Sequence, residues 1–378
     1  IYRRDFNSFN FTGNNRNTTF EQATTGFSMR AGVPLTEYMS LVGSYTLNYE
    51  DVSLDENLFF SDIDGNGTLE CDPLRAGRFL CDAIGTRLSS IVGLSLNYNS
   101  LNSRVRPTRG KTISLSGEFA GLGGDVRYVR FRGRGQQFWN VGNSGFIFSI
   151  LAEGGTIIPL QERPGAGVDD VLLTDRFFLG EPQFRGFAIR GVGPRILTQT
   201  SQLDGTGRPI LDANGNITFF TDRNQVRDDA IGGRNYYLGR AELEIPLGTG
   251  ARELGLRPSI WADVGALWGV EQPILTVNPT GIPITNAAGE PLFQIPNTNT
   301  TTTSPTQADG SLNIRLIQPN SNIRELFLGN SPSPRITAGI GVNWNSPFGP
   351  FRIDFAQTIR KVEGDDERRF TFNVGTQF

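Results

Sequence analysis

The chain of 378 residues contains no histidine. That single absence removes the Ser-His-Asp triad, the Cys-His dyad, the HExxH zinc site and the histidine proton shuttle together. Two cysteines cannot build a Cys₄ zinc site. Lysine is nearly missing as well, occurring only at Lys111 and Lys361, so arginine supplies 33 of the 35 basic side chains. A solvated surface normally mixes in lysine, whereas the rigid, permanently charged guanidinium suits enclosed networks. With 38 acidic residues the net charge is -3, which argues against nucleic acid as a partner. No pair of carboxylates sits in an apolar setting, and no enzyme is expected. The first residues, Ile1-Tyr2-Arg3-Arg4, carry neither a charged n-region nor an apolar h-region, so any signal peptide is expected to be removed or omitted.

Long hydrophobic runs are also lacking. A membrane helix needs about 20 consecutive apolar residues, and the longest apolar-looking stretch, Gly145 to Ala152, is far shorter. A polar average does not exclude a membrane β-barrel, because only alternate residues of its strands face lipid. Period-two alternation is what the sequence has in abundance. At the C-terminus Phe370, Phe372, Val374 and Phe378 share one face, against Arg369, Thr371, Asn373, Gly375 and Gln377. Upstream, Phe351, Ile353 and Phe355 oppose Arg352 and Asp354; Ile336, Ala338, Ile340 and Val342 form another apolar row; Ile260, Ala262 and Val264 oppose Trp261, Asp263 and Gly265. Segment 234–246 is the most telling, with Tyr237, Gly239, Ala241, Leu243 and Ile245 against Arg240, Glu242 and Glu244. Three ionised side chains in one row cannot sit in a dry core, but they can line a watery lumen.

Earlier segments repeat the pattern, giving about twelve strands in all. An even count suits a single-chain outer-membrane barrel. Tyr49, Tyr98 and Phe138 at strand ends would supply its interfacial aromatic belt. Connections are unequal: Pro34 to Glu37, Gly121 to Gly124, Pro246 to Gly250 and Ser346 to Pro350 read as tight turns, while about 52–86, 160–230 and 270–333 read as long extracellular loops. The glycine clusters Gly121 to Gly124 and Gly191 to Gly193 lack a following helix, so they read as turn and packing glycines, not phosphate cradles. The whole chain, 1–378, is read as one all-β domain, a transmembrane antiparallel barrel.

Specific residues then carry a family resemblance. Pro182-Gln183-Phe184-Arg185-Gly186-Phe187-Ala188-Ile189-Arg190-Gly191-Val192-Gly193-Pro194-Arg195 resembles the RGF/RGY stretch of the sixth extracellular loop in the Omp85 superfamily, and its BamA-like branch in particular. Pro107-Thr108-Arg109-Gly110 followed by Ala120 to Asp125, and Ser346-Pro347-Phe348-Gly349-Pro350-Phe351-Arg352-Ile353-Asp354 with the terminal strand signal Phe370, Phe372, Gly375 and Phe378, are similar to further motifs of that family. The resemblance implies a barrel with the 160–230 loop folded into its lumen. Family members carry POTRA domains and sixteen strands, so this chain reads either as a truncated piece of such a protein or as a shortened, POTRA-less, twelve-strand relative, and the second is expected because a cut barrel would leave two hydrogen-bonding edges in lipid.

The resemblance also implies that Arg185, in the lumen-loop motif Phe184-Arg185-Gly186-Phe187, pairs with acidic wall residues at Glu244 and Asp263. Such a pair reads either as a clamp that fixes the loop or as a gate. Arg130, Arg132 and Arg134, with Arg240 and Arg352, make either a positive lumen or a network with Glu242, Glu153 and Asp354. Asp62, Asp64, Asn66, Thr68 and Glu70 match the first half of a calcium loop, but the twelfth position is Pro73 where a bidentate Glu belongs, so an ordinary Asx-rich turn is the competing reading. In an exported chain Cys71 and Cys81 pair as a disulfide, closing a short ring and contributing about 2–3 kcal/mol.

Two functions remain in view. One is assistance to the insertion or translocation of other outer-membrane proteins, with unfolded outer-membrane proteins as partners. The other is a narrow or plugged passive channel or a structural surface protein. Either way the expected surroundings are outer-membrane lipids and lipopolysaccharide, in a Gram-negative outer membrane, with a monomeric chain.

Overall fold

The computed structural model describes residues 1–12, 15–62, 67–103, 106–142, 145–165, 167–247, 255–275, 282–284, 286, 288, 290–296, 298, 300–311, 313–318, 322–346 and 349–374. Twelve strands form one antiparallel sheet in strict sequence order. They are β1 (Tyr2–Thr12), β2 (Asn15–Pro34), β3 (Met39–Leu54), β4 (Gly85–Asn99), β5 (Gly110–Gly124), β6 (Tyr128–Val141), β7 (Phe146–Pro159), β8 (Asn235–Glu244), β9 (Leu256–Trp268), β10 (Arg335–Ser346), β11 (Gly349–Arg360) and β12 (Phe370–Val374). The fold is a transmembrane antiparallel β-barrel with β1 and β12 at the two ends of its strand order. Among the described residues no helix is long and apolar enough to cross a membrane.

Alternation dictates what each face carries. Ile340 is 61% exposed and Phe355 55%, whereas Arg335 and Asp354, inward residues of the same two strands, are 0% and 1% exposed. Large apolar groups on the outside with ions buried on the inside invert the soluble pattern and identify the outer face as the lipid face. At the short-turn end Trp139 stacks with Phe148, and Trp344 packs near Phe351 at 5.5 Å between ring centroids. Phe138 does not belong to this belt: it shares the inward row of Arg130, Arg132 and Arg134, and Trp139, one residue on, takes the outer position.

Connection lengths alternate between the two ends. The strands of the sheet alternate in direction, so the connections after β3, β7 and β9 leave it from one end and those after β2, β6 and β10 from the other. Gly121 to Gly124 is not a short-end turn; it completes β5, and residues 125–127 turn the chain at the long-loop end. The 55–84 link holds three short helices, Glu56–Phe59, Pro73–Ala76 and Arg78–Ala83, with Cys71 and Cys81 bonded to each other across them.

The chain, expected as one domain, divides into two compact units. The first, residues 1–195, 230–272 and 328–378, holds the barrel and the loop inside it. Its core joins wall residues Ala120, Tyr128, Leu151, Leu238 and Leu267 to loop residues Val171, Phe177, Leu179, Phe184, Phe187 and Val192. The second unit, residues 196–229 and 273–327, contains successive tight hairpins. In them Asp204 accepts from the Arg208 and Thr206 amides, and Asp212 from those of Asn216 and Asn214. The Arg208 amide first, and the Asn216 amide in the second hairpin, hold these two carboxyls below the usual range.

A depressed carboxyl stabilises its turn above its unfolded pKa and loses that contribution as pH falls through the folded value. Hydrogen-exchange protection of the Arg208 and Asn216 amides is therefore expected to persist at neutral pH and to disappear below the ~3.9 of ordinary aspartate. For the barrel, Ile340→Arg at the middle of β10 puts a charge in lipid, and a loss of about 2–4 kcal/mol is expected in denaturant titrations in bilayers.

Candidate functional site in the barrel lumen

The site is assembled by four consecutive strands, β8 to β11, and one loop. Cross-strand register sets Arg240 opposite Asp263, Glu242 opposite Trp261, Trp261 opposite Gly339, and Gly341 opposite Asp354. All these residues point inward, so the strands present a patch of alternating charge around one indole ring. Gly339 is what lets the ring lie flat on the wall, since a Cβ there would come within 2.6 Å of it.

Arg185 reaches this patch from the loop. Its guanidinium is bidentate on Asp263, at 2.9 Å from Nε and 2.6 Å from Nη2, and Nη1 donates to Glu242 at 3.0 Å. Its Cζ lies 3.8 Å from the Trp261 ring centroid, a cation–π contact in an enclosed setting. Thr337 Oγ1 on β10 donates to the Arg185 carbonyl. Gly186 follows with φ of 88°, and a Cβ there would meet Thr337 Cγ2 at 2.8 Å, so the turn that inserts Arg185 requires glycine on both counts. Phe184 and Phe187, both 0% exposed, pack edge to face at 4.9 Å and anchor the loop on either side.

The patch is a network. Arg352 donates to Asp354 at 2.7 Å and to Glu242 at 3.0 Å, Ser259 donates to Glu242 at 2.6 Å, and Arg240 donates to Asp263 and to the Gln183 carbonyl. Three guanidinium groups meet three carboxylates, so the formal charges cancel. Buried ions require this balance, because each one left alone would cost several kcal/mol.

Asp263 therefore receives Arg185, but Glu244 does not. Glu244 lies one two-residue step, about 7 Å, further along β8, where it faces Arg257 at 3.5 Å. Glu242 takes the place expected for it. Strand parity cannot separate the two, since both point inward; only the depth of the loop decides. Arg130 and Arg134 have carboxylate partners, Glu118 at 3.2 Å and Glu153 at 3.7 Å, and Arg132 lies over Phe177. A row of unpaired positive charge is thus not what these three positions form.

Other contacts had no sequence signal. Arg335, 0% exposed, is bidentate on Asp365 in the link before β12 and also donates to the carbonyls of Gly329, Ser331 and Ser333. The same link pairs with the loop, through the Ala188 amide on the Asp366 carbonyl and the Arg368 amide on the Gly186 carbonyl. Asp169 faces Arg176 at 3.5 Å and Arg234 at 3.7 Å. Directly after the disulfide-bonded Cys81, Asp82 accepts from Arg163 at 2.7 Å and from the Leu173 amide at 2.9 Å, tying that segment to the loop.

Of the calcium positions, Asp64 and Asn66 lie outside the described residues; Asp62 accepts from the Gly67 amide, five residues on. No cluster of three metal-ligating side chains occurs among the described residues. In the terminal signal, Phe370 and Phe372 face outward at 57% and 53% exposure, while Gly375 and Phe378 lie outside the described residues.

A lipid-faced β-barrel whose lumen is occupied by a loop clamped through a buried arginine is an outer-membrane barrel with an internal plug. The Omp85 superfamily domain matches residues 2–378, and the chain belongs to that superfamily. It is 26% identical over 294 residues to the outer membrane protein assembly factor BamA of Neorickettsia risticii, covering 78% of this chain and 28% of that protein. It is 30% identical over 169 residues to the human sorting and assembly machinery component 50 homolog, covering 43% of this chain and 27% of that protein. Among solved structures, BamA from Haemophilus ducreyi lacking POTRA domains 1–3 has the same fold, with a TM-score of 0.56 at 18% identity over 93% of this chain and 54% of that one. The chain spans about a quarter of the length of these curated relatives. It is an outer-membrane protein of a Gram-negative bacterium.

Removing Arg185 leaves Asp263 and Glu242 short of a counter-charge. Arg185→Ala is expected to cost about 3–5 kcal/mol in equilibrium unfolding, and Arg185→Lys to recover only part, since an ammonium cannot fork onto Asp263. Glu242→Gln is expected to destabilise clearly more than Glu244→Gln in the same measurement.

Proposed function

We propose that this barrel takes part in the assembly of other outer-membrane proteins. Membership of the Omp85 superfamily carries the reading, and the names of its relatives, an assembly factor and a sorting and assembly component, give its direction. Unfolded outer-membrane β-barrel chains are then the substrates. The lumen clamp supports the reading physically. A loop fixed at β8 to β11 keeps that half of the wall rigid, which concentrates deformation in the strands furthest from it in the sheet order, β1 to β4. No acid–base or nucleophilic chemistry is required, since β-barrel insertion is driven by burial of the substrate's apolar face in lipid.

The test is a folding assay in proteoliposomes. A urea-unfolded outer-membrane barrel protein is diluted into vesicles with and without this chain, and folding is followed by heat-modifiable gel mobility. Several-fold faster folding with the chain is expected, along with a reduced gain for Arg185→Ala at equal incorporation. Equal rates in loaded and empty vesicles would sink the proposal.

A further inference from the structure

The lipid face of the barrel is unevenly clothed. Across β4 to β7 it sinks into a trough of about 640 Å³. The walls are Leu41, Leu94, Leu96, Leu115 and Phe131, and the floor is backbone, bared where Gly117, Gly133 and Gly154 fall on the outward parity. Gly133 and Gly154 are register partners, so side chains are missing from adjacent positions on two neighbouring strands. In hydrocarbon no hydrophobic force closes such a gap, since lipid tails are as apolar as leucine. Contact decides instead: an apolar wall with nothing against it forfeits the dispersion attraction that a packed one has, and a flexible acyl chain laid along the trough restores it.

Towards the short-turn end the trough meets a basic rim. Lys111, one of only two lysines in the chain, shares the outward row of Ile113 and Leu115 on β5, two two-residue steps or about 14 Å from Leu115. Its ammonium lies 5.3 Å from the ring centroid of Tyr98, whose register partner is Ile113, one step nearer the trough. Tyr38 packs beside Tyr98 at 6.2 Å between centroids, and paired tyrosines of this kind mark the level of lipid headgroups. Neither Lys111 nor Arg109 has a carboxylate partner among the described residues, and both are exposed. The connections 35–38 and 100–109 leave the sheet from this same end, and in sequence they carry Arg104, Arg106 and Arg109 against a single carboxylate, Glu37.

We propose that the trough and this rim together bind one phospholipid of net negative charge, with an acyl chain along Gly117, Gly133 and Gly154 and the phosphate at Lys111 and Arg109. Each half needs the other. A chain in the trough is not told apart from bulk lipid by its apolar contacts, and a phosphate on an exposed lysine alone is a weak ion pair in water. Joined in one molecule, the chain places the phosphate and the rim selects it. A surplus of basic side chains at the headgroup level attracts anionic lipid, whereas a zwitterionic headgroup brings its own ammonium against the same charges. The site stands on β4 to β7, away from β1 and β12 at the ends of the strand order, and it does not depend on any assembly role.

The test is native mass spectrometry of the chain released from nanodiscs that hold equal amounts of phosphatidylglycerol and phosphatidylethanolamine with matched acyl chains. One phosphatidylglycerol per chain is expected to survive activation that strips phosphatidylethanolamine. Lys111→Gln is expected to cut the retained fraction several-fold. Lys361→Gln removes the other lysine, which is paired with Glu367 in the link before β12, and is expected to leave retention unchanged. Gly133→Leu fills the trough, where a Cβ at 133 already comes 3.2 Å from Leu115 Cδ2, and is expected to lower retention with the rim intact. Heat-modifiable mobility identifies variants that have folded; should Gly133→Leu not fold, the exposed Lys111→Gln change decides by itself. Equal retention of the two lipids, undiminished retention in Lys111→Gln or in folded Gly133→Leu, or an equal loss in Lys361→Gln would overturn the proposal.

Discussion

The position of the plug depends on one constraint, that a guanidinium taken out of water must find its full complement of negative charge. Arg185 finds it in Asp263 and Glu242, and those carboxylates are in turn balanced by Arg240 and Arg352. Because every member is needed by another, the loop has one depth at which the sums agree. A shift of one two-residue step would bring Arg185 towards Glu244, which already has Arg257, and would leave Asp263 with only Arg240. Register specificity of this kind is the best-attested use of buried ions.

Around that fixed point the rest of the barrel can be understood as two unequal halves. On β8 to β11 the loop is held by ions, by the Trp261 platform and by backbone bonds to the link before β12. On β2 to β4 the wall offers serine, threonine, asparagine and one cross-strand ion pair, and the loop touches it through polar atoms that need solvent. A network that satisfies all its members rigidifies, and a face that leaves some unsatisfied admits water. One half of the lumen is therefore structural in character, and the other is wet.

Much of this could be read from the order of residues. The twelve strands, the outward apolar rows and the inward position of Arg185's partner Asp263 all follow from period two, because side-chain direction in a strand is a parity that the sequence prints directly. What parity does not give is height along the strand. Glu242 and Glu244 have the same parity, so the choice between them waits on how deep the loop descends. Phe138 shows the converse: an aromatic residue near a strand end suggests the interface, but its parity, shared with Arg134, turns it inward. Contacts such as Arg335 with Asp365 are illegible for a third reason, since Asp365 lies in a link where no repeating pattern ties it to a distant residue.

Gly339 and Trp261 carry a last consequence. They face each other across β9 and β10, and the indole occupies the space a side chain at 339 would need. A Cβ at 339 would also come within 2.3 Å of the Phe355 carbonyl, so a smaller ring at 261 alone would not make room there, and the surface on which the loop's arginine rests is kept flat by a glycine hemmed in by both a side chain and the neighbouring strand's backbone.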